Sequence, residues 1–76
     1  MLRPISSIAR DIDSEWKNVN FAALPYLNAM FSLEDKTSKY GADEATWIVL
    51  YFLNNASTFR GGNAKSLKEE LRKHLK

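Results

Sequence analysis

The sequence predicts an all-α fold, a compact bundle of four short helices around a central, apolar third helix. Three observations carry that prediction. Apolar residues recur at steps of three and four in three separate stretches, the pattern of a helix with one buried face. The two prolines and three glycines fall where helices would begin or end. The one continuous apolar run, residues 47–53, finds no second segment of similar β-branched or aromatic density with which to build a sheet.

The first helix is read from Ile5, Ile8, Ala9, Ile12, Trp16 and Val19, which fall within about 100° of one face at 3.6 residues per turn. Arg10, Ser14 and Lys17 lie opposite. Pro4 suits the first helical position, where its missing N–H has no intrahelical partner, while Ser6 or Ser7 can cap instead. Residues 17–20 (KNVN) interrupt the pattern, and Asn20 can accept a hydrogen bond from the next first turn. A second helix is expected over about residues 21–33, with Ala23, Leu24, Leu27, Met30 and Phe31 as its stripe and Tyr26 and Leu33 widening it. Pro25 must then sit in or near its first turn, because deeper inside it would remove a backbone bond.

Residues 34–40 (EDKTSKY) read as a polar turn with one extra helical turn at most, closed by Gly41, which tolerates the left-handed conformation. The third helix is expected over about residues 42–56, with Asp43 and Glu44 favourably placed against the positive end of its dipole. Residues 47–53 have no period and suit a buried strand as well, but a lone strand would leave its backbone groups unpaired. Apolar on all sides, the helix would be the centre of the bundle. Residues 57–62 (STFRGG) form the last connection, with Phe59 turned back onto the core, and Asn63 can cap the fourth helix. Its stripe is Ala64, Leu67, Leu71 and Leu75, and the basic residues at 72, 73 and 76 suit the negative end of its dipole.

With 76 residues, 45% of them hydrophobic, the chain supports one domain spanning residues 1–76. A secreted domain of this size would usually carry disulfides, and with no cysteine a cytoplasmic location is expected. The N-terminus carries Arg3, Arg10 and Asp11 and no long apolar block, so it does not read as a signal peptide. The apolar run is far short of the roughly 20 residues of a membrane-spanning helix, so no membrane partner is expected.

Enzymatic readings fail for lack of parts. His74 is the only histidine and cysteine is absent, so Cys–His nucleophile pairs and the usual zinc ligand sets cannot be assembled within one chain. His74 is expected to be a partly exposed structural side chain, and the paired carboxylates read as solvated faces and helix caps. No catalytic residue, cofactor, metal or small-molecule substrate is expected. Gly61 and Gly62 ahead of a helix can present N–H groups to an anion, but no phosphate-loop pattern accompanies them.

Two binding classes remain. Aromatic residues exceed what four short helices comfortably bury, so some should form an exposed patch, and Trp and Tyr are enriched at binding hot spots. Trp16, Tyr26, Phe31 and Tyr40 are the candidates for contact with a protein partner or a second copy of the chain, Tyr26 and Tyr40 being those expected at the surface. The alternative is sequence-independent nucleic-acid binding. Lys65, Lys68, Arg72 and Lys76 recur at steps of three and four beside the leucine stripe, and with Arg60 they can track a phosphate backbone. A net charge of +2 accords with such a partner without requiring one.

The segments WKNVNFAALPYLNAM at residues 16–30, YG at 40–41 and IVLYFLNNASTFRG at 48–61, with the basic end, resemble a family of small helical proteins of bacteria, their phages and mobile elements. The resemblance implies a bacterial, intracellular helical domain, and it transfers no functional residue.

Overall fold

The computed structural model describes residues 2–75. Four helices carry it: α1 (Ile5–Glu15), α2 (Leu24–Met30), α3 (Ala45–Asn54) and α4 (Ala64–His74). Between α2 and α3 lies a two-stranded antiparallel ribbon, β1 (Lys39–Tyr40) and β2 (Asp43–Glu44), with Lys39 opposite Glu44 and Tyr40 opposite Asp43.

α1 buries Ile5, Ile8, Ala9 and Ile12, the face its periodicity assigns to the core. No side chain caps its N-terminus. The loop after α2 does so instead, Ile5 N–H donating to the Glu34 carbonyl and Ser6 N–H to the Leu33 carbonyl at 2.8 Å each. Asn20 opens the next helical turn as expected, its side-chain oxygen accepting from Ala22 N–H at 3.1 Å and its carbonyl from Ala23 and Leu24. That turn is irregular and α2 proper is shorter than the sequence suggests, with Pro25 in its first turn.

The ribbon stands where residues 34–40 and the start of the third helix read as a polar turn and a helix N-terminus. Gly41 does take the left-handed conformation, φ +64°, but it serves the turn of a hairpin and not the end of a helix. Glu44 flanks the start of α3 with an extended backbone and makes no side-chain cap.

The packing pairs α1 with α4 and α2 with α3, joined by a core of Ile5, Ile8, Ile12, Leu27, Met30, Leu33, Val49, Phe52 and Leu71. Residues 47–53 are helical, yet α3 is not enclosed on all sides. Ala45, Ile48, Val49 and Phe52 face inward, while Trp47, Leu50 and Tyr51 remain 53%, 40% and 44% exposed. The total accessible surface, 4864 Å², is close to the roughly 4,700 Å² that a folded chain of this mass exposes. The open aromatic face is therefore a local feature of a closed fold.

α4 buries Ala64, Leu67 and Leu71. Asn63 occupies the position before it, but its side chain caps nothing within the helix. Glu15 instead accepts from Asn63 N–H at 3.4 Å and from Asn63 Nδ2 at 3.0 Å, tying the end of α1 to the start of α4. No helix among the described residues is long and apolar enough to cross a membrane.

Candidate interaction surfaces

Two features stand out on the surface, one aromatic and one basic. On α3, Trp47 and Tyr51 are one turn apart and stack with ring centres 5.9 Å apart and planes inclined by 26°. Tyr26 of α2 continues the row, 5.6 Å from Tyr51 at 31°. Trp47 and Leu50 also line a shallow, largely apolar depression of about 330 Å³, closed by Thr46 and Leu75. Rings held by one another in this way present apolar area at low entropic cost to a partner.

This is not the aromatic set the sequence singles out. Trp16 is only 6% exposed, stacked on Phe59 at 5.2 Å and set edge-on to Phe52 at 6.1 Å, so it is a core residue. It follows directly after α1, its N–H donating to the Ile12 carbonyl at 2.8 Å. Phe31 is half-buried against the core. Tyr26 is half-buried within the stack, and Tyr40 is 51% exposed on β1. The residues missed are Trp47, Leu50 and Tyr51, hidden in a run whose unbroken apolarity gives no outward face, and Phe21, 88% exposed ahead of α2.

The basic feature gathers what the sequence distributes. Arg60, Lys65, Lys68 and Arg72 line one groove of about 360 Å³, floored by Phe59, Gly61 and Ala64. Lys76 lies outside the described residues. The Lys68 ammonium sits 5.7 Å from the centre of the Phe59 ring, a cation–π contact. Its pKa is lowered, first by burial and then by the like charges of Arg72 and Arg60. Arg72 donates to Glu69 at 2.6 Å. Among the described residues no carboxylate lies within ion-pair distance of Arg60, Lys65 or Lys68.

A third hollow, about 500 Å³, is bordered by Leu2, Pro4, Glu34, Asp35, Thr37 and Lys73 and closed by His74. His74 is 4% exposed, against the partial exposure expected. Its Nε2 lies 2.7 Å from the Arg3 carbonyl, which can only accept, so that nitrogen carries the proton. Asp35 is engaged by the N–H and hydroxyl of Thr37, which hold its carboxyl below the usual range. His74 and Asp35 are thus engaged by neighbouring groups of the chain itself. Among the described residues no cluster of three or more His, Asp or Glu could hold a metal ion.

The chain matches no family model, no curated protein and no solved structure.

Proposed function

We propose that this chain is a small, non-enzymatic helical module that binds a protein partner or a second copy of itself through the aromatic face of α3 and α2. The observation that supports this reading is the stacked pair of Trp47 and Tyr51, exposed on α3 and continued by the half-buried Tyr26. Large rings that stay exposed while smaller apolar residues are buried are the composition of a binding hot spot. Tyr40, exposed on the ribbon, is a further contact candidate. The missing cysteine and the resemblance of the sequence support a bacterial, cytoplasmic setting.

The test is light scattering over about a hundredfold range of concentration, joined to capture of partners with the wild type and with Trp47→Ser/Tyr51→Ser. Each ring should contribute on the order of 2 kcal/mol if it is an anchor. A chain that stays monomeric and whose captured partners are retained by the double variant overturns the reading.

A further inference from the structure

We propose that the groove between the 59–61 turn and the outer face of α4 seats the phosphodiester backbone of a nucleic acid, recognised by charge and not by base sequence. The groove carries four cations against the single carboxylate of Glu69, a net +3 where the whole chain has only +2. The rest of the molecule is thus slightly acidic, and positive charge is concentrated at one place. Such a focus attracts a polyanion in a way that a uniformly basic surface does not.

The fold holds these cations together against their mutual repulsion. Lys68 is kept over Phe59 between Arg60 and Arg72, and both burial and those neighbours oppose its charge. An anion in the groove offsets the repulsion from both arginines, because its charge attracts all three cations. Arg3, in contrast, is already matched by Glu70 and Asp11 and is not available to a ligand.

The lining favours a phosphate backbone over an acidic protein surface. Protein interfaces have an apolar centre and few lysines, whereas nucleic-acid interfaces are strongly cationic. Phe59, the one ring in the groove, is 3% exposed and lies under Lys68, so it offers no base a stacking platform. Lys65 to Arg72 spans seven helical steps, about 10 Å at 1.5 Å each, a length covering about three nucleotides at 3.4 Å rise. The helix amides are not part of the site, because Glu15 already occupies the Asn63 end of α4.

Binding of two duplex DNAs of unrelated sequence, followed by fluorescence anisotropy as salt is raised, tests this directly. With three phosphates neutralised, affinity should fall about 40-fold between 50 and 200 mM salt, alike for both sequences. Arg60→Gln/Lys65→Gln, which leaves the Lys68–Phe59 contact in place, should reduce that dependence to about 3-fold. Lys39→Gln, a single charge removed on the ribbon, should leave the wild-type dependence intact, and so should Trp47→Ser/Tyr51→Ser, which separates this site from the aromatic one. No binding at 50 mM salt, an equal effect of Lys39→Gln and Lys65→Gln as single changes, or displacement by polyglutamate at matched charge as complete as by DNA would each overturn the proposal.

Discussion

Arg3 meets Glu70 across 67 positions of sequence, its Nε and Nη2 each donating a 2.8 Å hydrogen bond to one carboxylate oxygen. Nη1 of the same guanidinium donates to Asp11 at 2.8 Å, and the Arg3 carbonyl receives Nε2 of His74 at 2.7 Å. One residue thus fastens the chain before α1 to both α1 and α4, the pair whose packing is most extensive together with α2 and α3.

The Arg3–Glu70 pair makes stability depend on acid. Hydrogen bonding to Arg3 holds the Glu70 carboxyl below its ordinary value of 4.5, so the folded chain binds that proton less readily than the unfolded one. The contribution is present above the ordinary carboxylate range and is lost as pH falls through the lowered value. With side chains 43% and 32% exposed, the pair is worth about 0.5–1 kcal/mol. Glu70→Gln should lower Tm by a few degrees at pH 7, and thermal melts in strong acid should show the gap to wild type closing.

Removing the imidazole of His74 leaves the Arg3 carbonyl without its donor in a partly buried place. His74→Leu should cost about 1–3 kcal/mol in urea unfolding. His74→Gln, which keeps a side-chain N–H donor, should recover part of that loss.

The two tryptophans should behave as opposites. Trp16→Ala opens a cavity beneath Phe59 and Phe52 and should cost about 3–5 kcal/mol. Trp47→Ala, at a site 53% exposed, should cost less than about 1 kcal/mol. Acrylamide should quench the fluorescence of Trp16→Phe strongly and that of Trp47→Phe weakly, since each variant retains only the other indole.

Gly41→Ala isolates backbone strain from packing. A Cβ at this position meets nothing within 4 Å, but φ is +64°. The expected cost is about 1–2 kcal/mol, the penalty of the left-handed conformation for a residue with a side chain. Urea unfolding measures it, and an unchanged midpoint would mean that the hairpin turn had relaxed.

Part of the candidate sites is legible in the sequence for the same reason that the helices are. Lys65, Lys68 and Arg72 share a face because a helix places steps of three and four together, and their groove follows once α4 forms. What periodicity could not foretell is the company they keep. Arg60 shares their groove where the 59–61 turn meets α4, and Phe59, stacked on Trp16, lines it with them. On α3 the signal fails altogether: seven consecutive apolar residues have no polar face by which to orient the helix, so enclosure was the natural inference and an open aromatic row the result.

The order and kind of the four helices were determined by local chemistry, above all apolar spacing and Pro25 in a first turn, and the turns between them by Asn20 and by Gly41 with φ above zero. Those features act over a few residues and can be read along the chain. Which tryptophan is covered, which arginine is spent on Glu70 and which lysines are left facing a groove were decided by contacts between residues as far apart as Arg3 and Glu70. Burial and charge pairing depend on what the rest of the chain brings alongside, and no stretch of sequence contains its own neighbours in space.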